Sequence, residues 1–157
     1  MACMGRTSAL MAGIAALALA GTALAATSAE VVKLRQDSMK AQAADLKAVT
    51  DYSRGKGDKD AALKAADDLI EHAGKDAKLF PKGTSSADLP GKSNAKPQIW
   101  TDQARFQAIL ATMHDKAVKL PALIKTGAPA DVHAAAMDLA KAGCVACHSD
   151  YRESGGQ

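Results

Sequence analysis

Seven residues between Ile99 and Ile124 recur at steps of seven, four, three, four, three and four: Ile99, Phe106, Leu110, Met113, Ala117, Leu120 and Ile124. Such a seam keeps one apolar stripe along a helix and asks for other helices to cover it, which is the pattern of a bundle. Nothing elsewhere alternates with period two. Aromatic residues make up only 3% of the chain, and Ala, Leu, Lys, Asp and Gln dominate. These compositions favour helix throughout.

Three more helices are expected around that seam. The first runs from about Ser28, as N-cap, to Ser53, where Gly55 and Gly57 stop it. Val32, Arg35, Met39, Gln42, Leu46 and Val49 form its inward stripe. The second runs from about Asp58 to Lys78, with Ala62, Ala66, Leu69 and Ala73 inward, and Phe80-Pro81 ends it. A Pro-, Gly- and Ser-rich crossover, PKGTSSADLPGKSNAKP, has no apolar period and reads as a long loop. The seam helix begins near Pro97, and Pro121 must kink or stop it. The fourth runs from Pro129 to about Arg152, with Val132, Ala136, Leu139 and Gly143 inward. The expected fold is all-α, an antiparallel four-helix bundle with two short connections and one long one.

The N-terminus belongs to a different class of segment. Arg6 precedes a long Ala/Leu stretch that ends in Ala23-Leu24-Ala25, small-x-small, so residues 1–25 read as a cleaved signal peptide and 26–157 as the folded domain. A membrane-spanning helix would need roughly 20 strongly apolar residues, and here many are alanine. Cys3 leaves with the leader, and it precedes the apolar stretch, which disfavours a lipoprotein anchor. The formal charge is +3, of which Arg6 supplies one. No basic face interleaved with aromatics appears, so nucleic acid is not an expected partner.

Two cysteines remain, in KAGCVACHSDYRESGGQ. A disulfide across so short a loop constrains the unfolded chain little. Structural zinc needs four ligands, and no second C-x-x-C exists; His72, His114 and His133 are isolated and read as solvated helix residues. A thioredoxin-type pair belongs at a helix start after a strand, not near the end of the last helix. C-x-x-C-H is also the attachment signature for c-type haem. Residues three and four apart share a helix face, so two thiols at Cys144 and Cys147 can meet the two vinyl groups of one porphyrin while His148 reaches the iron. Small Gly143 and Ala146 leave room for the macrocycle. Covalent haem c is the expected cofactor, and export suits it.

The motif's C-terminal placement in a bundle resembles the class II c-type cytochromes, the cytochrome c′ family. The resemblance spans essentially all of 26–157. It is carried by LRQDSMK in the first helix, LFPKGTSS before the loop, KPQIW opening the third helix and CVACHSDYR at the end. It implies His148 as proximal ligand, with Arg152 one turn on as a cation near the imidazole that weakens its push on the iron. Arg152 also suits a helix C-terminus by charge alone. The resemblance puts haem contacts at Arg35 and Gln36, each facing a propionate or the haem edge, although Arg35 can also lay its stem on the core with its head in water.

Met39 divides the family's two states. As a lid, it leaves a five-coordinate iron open to small gases such as NO and CO. As a sixth ligand, it makes a low-spin electron carrier. The expected function is therefore a periplasmic haem protein that passes single electrons or binds small gases, with the lid preferred and His/Met ligation as alternative. A haem-free disulfide oxidoreductase is the third reading. No catalytic base or nucleophile is legible, so no enzyme is expected. Trp100 is expected to close the bundle end near the haem, Tyr52 and Tyr151 to touch haem or a dimer surface, and Met113 to be core. The family also implies a homodimer through the first two helices, where Val31, Leu34 and Ala41 flank the core stripe. The redox partner is not legible.

Overall fold

The computed structural model describes residues 26–154; the signal-peptide expectation falls outside them. The first helix, α1 (Ser28–Ser53), is capped by Thr27, one residue earlier than expected. The Thr27 side chain accepts from the Glu30 amide, and the Glu30 carboxylate accepts from the Thr27 amide at 2.7 Å. That reciprocal box satisfies two otherwise orphaned donors, which Ser28 could not do with Val31 three residues on. α1 ends where Gly55 turns to φ 71°. α2 (Lys59–Lys75) is capped by Asp58, whose carboxylate accepts from the Ala61 amide at 2.9 Å. Its inward face is Ala62, Ala65, Ala66, Leu69 and Ala73, small enough for α1 to lie close. The expected run to Lys78 instead tightens into a 3-10 turn, Asp76–Leu79.

The seam helix comes in three pieces: α3 (Gln98–Thr101), α4 (Gln103–Ala117) and α5 (Leu120–Thr126). All seven seam residues are buried. Pro121 sits in the first turn of α5, where its missing N–H costs nothing, so the break falls just upstream at Val118-Lys119. The last helix is α6 (Pro129–Leu139), a π-helical turn (Ala140–Val145) and α7 (Ala146–Tyr151). Together these form an antiparallel four-helix bundle with no extended strand among the described residues.

Two clusters fill the bundle. One end is almost wholly aliphatic: Val49, Leu69, Leu120, Ile124, Val132 and Leu139 among others. The other gathers Ala95, Ile99, Phe106, Leu110 and Tyr151, with Phe80, Trp100 and Cys147 packed on it. The crossover loop is held to that second end. Ala95 and Arg152 form an isolated antiparallel bridge. The Lys96 amide donates to the Tyr151 carbonyl and the Glu153 amide to the Asn94 carbonyl, each at 2.9 Å.

Candidate haem-binding site

Cys144 lies in the π-helical turn, and Cys147 and His148 follow in α7. Both thiols are free and half-buried. Cys144 packs on the aliphatic cluster and Cys147 on the aromatic one, so the pair spans the seam between the two halves of the core. Gly143 does not leave space for a macrocycle, as its small size had suggested. A Cβ there would stand 2.5 Å from Met113 Cγ. The missing side chain lets α4 press against the π-helical turn, and Met113 is core, as expected.

Burial first, and then the charge of Asp76, raises both thiols, Cys147 to about 11. A reactive oxidoreductase cysteine is lowered, not raised, so this pair is unsuited to thiolate attack. Among the described residues no group of three or more His, Cys, Asp or Glu is placed to hold a metal ion, so tetrahedral zinc has no ligand set there. His148 is exposed at the surface of α7, and the partial desolvation of its ring, followed by the charge of Arg152, lowers its imidazole. It stands neutral at physiological pH, with a ring nitrogen lone pair to offer a metal. Arg152 is thus near the imidazole and makes it less basic. Its backbone is extended, φ −114°, ψ 137°, as it joins the bridge to Ala95.

Arg35 is buried, but its hydrogen bonds run to the loop. Nη1 donates to the Leu79 carbonyl and Thr84 Oγ1, both at 3.3 Å; Nη2 donates to the Thr84 carbonyl at 3.1 Å and Ser93 Oγ at 3.0 Å. The guanidinium also lies 4.6 Å over the Phe80 ring. These partners carry no charge, and burial lowers Arg35 to about 10. A buried cation bonded only to neutral oxygens leaves an electrostatic demand for an anion. The head is not in water, so the alternative of an exposed guanidinium fails. Gln36 is exposed and donates to the Lys92 carbonyl at 3.0 Å, again to the loop. Met39 is half-buried on the same helix, one turn beyond Arg35.

Other residues sort by end of the bundle. Trp100 Nε1 donates to the Phe80 carbonyl at 3.1 Å, and Phe80, Phe106 and Tyr151 meet edge to face at 4.9 and 5.4 Å. Tyr151 OH donates to Asp102 at 2.8 Å. Tyr52 instead packs on the aliphatic cluster. Two histidines expected in solvent have partners: His72 Nδ1 lies 3.5 Å from Asp45 Oδ2, and His133 Nδ1 is 3.2 Å from Ser53 Oγ.

Sequence reasoning missed one group altogether. Asp76 is fully buried, and the Gln42 amide donates to both its oxygens, at 3.0 and 3.1 Å. The signal was present. Gln42 stands in an otherwise inward stripe, and a buried amide requires a polar partner.

The donor set fits covalent haem. Two neutral thiols and a neutral imidazole share a turn, and an uncompensated buried cation waits across the core for a carboxylate. Comparison with known proteins agrees. The family model described as Cytochrome C' matches residues 30–152. A cytochrome c′ of Alcaligenes xylosoxydans xylosoxydans is 31% identical over 126 residues, covering 79% of this chain and 94% of that protein. The structure of a cytochrome c′ from Rhodobacter Spheriodes superposes with a TM-score of 0.73 at 26% identity, over 82% of this chain and 99% of that one. A ferrous variant of the Alcaligenes xylosoxidans protein with bound NO gives 0.71 at 26% identity, over 83% and 98%. With its bundle, its C-terminal C-x-x-C-H and a family match across nearly every described residue, this chain belongs to the cytochrome c′ family and carries haem c on Cys144 and Cys147.

Proposed function

We propose that this protein works outside the cytoplasm as a five-coordinate haem protein, with His148 as proximal ligand and Met39 as a lid over the opposite face. The observation that carries the reading is the neutral His148 beside Arg152, directly after Cys147 and one turn from Cys144. The haem, when bound, supplies an iron that takes up one electron or a small diatomic gas. The residues do the rest. Cys144 and Cys147 fix the macrocycle's orientation. Arg152 keeps the proximal imidazole weakly basic. Arg35 supplies positive charge for a haem carboxylate while its terminal N–H groups hold the crossover loop at Thr84 and Ser93 and the 3-10 turn at Leu79. Met39 is kept in place by anchors on either side along α1, Arg35 and Gln42, and it screens the open face. The relative solved with NO bound supports gas binding here as well.

The second reading makes the Met39 thioether a sixth ligand. The fixed position of Met39 between two anchored side chains suits that state too. Optical and electron paramagnetic resonance spectra of the oxidised protein separate the two. A high-spin ferric iron, unchanged by Met39→Ala except for faster CO binding, is expected. A low-spin wild type that turns high-spin in Met39→Ala overturns it. Leu34, 55% exposed, with Val31 and Ala41 beside it on α1, supports a homodimer through the first two helices; sedimentation as a monomer at high concentration would count against that. Export is tested by fractionation, which should place the haem-bearing chain in the periplasm.

A further inference from the structure

Asp76 is the one buried carboxyl group among the described residues, and it has no cation bonded to it. It opens the 3-10 turn after α2 and accepts from Gln42 Nε2 and, at 3.5 Å, from Ser38 Oγ. Gln42 Nε2 faces both carboxyl oxygens, and an asparagine would keep only one of those two acceptors. Burial raises the carboxyl to about 6, against the hydrogen bonds from Gln42 and Ser38 and the charge of His72, which pull it down. The other titratable groups that feel it are Cys144, in the π-helical turn, and Cys147, in α7. α1 and α4 contribute no charged group that moves its titration. The charge of Asp76 therefore reaches the two sulfurs that carry the haem.

We propose that Asp76 takes up a proton when the haem held at Cys144 and Cys147 is reduced and releases it on oxidation, so that this protein moves an electron and a proton together. The proposal rests on the haem reading above. The balance is simple. A one-electron donor lowers the charge of the ferric centre by one, and a solvent proton converts the Asp76 carboxylate to the acid. No other bond forms or breaks. The cause is electrostatic: the ferric centre's extra positive charge favours the carboxylate, and its loss in a low-dielectric interior favours the acid. Ser38 is half-buried and links the pair to the surface of α1. Its hydroxyl accepts from Gln42 Nε2 at 3.1 Å and donates toward Asp76, a short relay for the proton.

The test is a spectroelectrochemical titration of the haem-loaded protein across pH. The wild-type midpoint is expected to fall with rising pH on either side of about pH 6, with a slope no steeper than the one-electron, one-proton limit of about 59 mV for each tenfold change in proton concentration. Asp76→Asn should remove that fall, leaving only the weaker response of the haem carboxylates, and raise the midpoint above wild type at alkaline pH. Gln42→Leu withdraws the donor that stabilises the carboxylate and should move the fall to higher pH. A reduced-minus-oxidised infrared spectrum of the wild type should gain the carbonyl band of a protonated carboxyl. That measurement depends on no variant folding. A haem-loaded wild type whose midpoint is flat with pH, or a slope unchanged in Asp76→Asn, overturns the proposal. A protein that carries no haem overturns the haem reading instead.

Discussion

The two ends of the bundle are built by opposite means. At one, Val49, Leu69, Leu120, Ile124, Val132 and Leu139 close on one another with no polar group among them. At the other, Arg35, Gln42, Asp76, Thr84, Ser85 and Ser93 are all buried, and aromatic rings replace the aliphatic stripe. The first end is complete by itself, since hydrocarbon needs only hydrocarbon of the right volume. The second holds a bare cation and a bare carboxyl, which a polar network satisfies in part and a bound group completes. Stability and function have been assigned to different ends of the same four helices.

The sharpest way to break this contrast is to withhold the haem. Cys144→Ala with Cys147→Ala should lose covalent haem and most of the order at the polar end. Amide exchange should speed in residues 80–97 and 146–152, and the aliphatic end should keep most of its protection. Uniform protection in the haem-free variant would show that the polar end needs no cofactor. Next in size, Arg35→Met removes three hydrogen bonds to the crossover loop and one to the 3-10 turn and should destabilise the haem-loaded protein by about 3–5 kcal/mol, the scale for losing a buried hydrogen-bonded charge. Chemical denaturation would read it, with the haem spectrum shifted as well. Leu69→Ala at the other end should cost about 2–4 kcal/mol and leave that spectrum as it was.

A smaller effect has a definite pH sign. The Asp76 carboxyl is raised from its ordinary 3.8 to about 6. Between those values the folded chain holds more protons than the unfolded one, so this group's contribution to stability falls as pH rises through that window. Asp76→Asn should therefore gain on wild type as pH rises from about 4 to about 6 and level off above that, by on the order of 1–3 kcal/mol at neutrality. A gain that shrinks with rising pH would mean the carboxyl is held low. The smallest effect expected is at Arg105–Asp150, 2.6 Å apart but largely exposed. Arg105→Gln should change stability by about 0.2–1 kcal/mol and lose even that in high salt.

What could be read in advance divides along the same line. The aliphatic end follows from spacing alone: Met113, Ala117, Leu120 and Ile124 of the three-four seam all lie buried in it. Cys144, Cys147 and His148 were legible because three chemistries share one helical turn. The polar end was not. Arg35 could be seen to want an anion, but its loop partners Leu79, Thr84 and Ser93 are set by how a Pro- and Gly-rich segment folds back, and no periodicity records that. Asp76 looked like one more residue of α2, because the 3-10 turn that buries it leaves no mark in propensity. The π-helical turn at 140–145 was also invisible; it arises where Gly143 lets Met113 in, a contact between distant segments.

The bridge between Ala95 and Arg152 carries a consequence for time as well as space. Residues 94–96 find part of their backbone pairing in Tyr151, Arg152 and Glu153, which leave the synthesis or export machinery long after the loop itself. Until they arrive the loop has only its ties to Arg35 and to itself, and the turn that bears Cys144, Cys147 and His148 has not yet been shut in. The enclosure therefore closes last, after the very segment that must meet the haem has appeared. The order of emergence alone gives the attachment chemistry an interval of open access, and closure then seals in what has been attached.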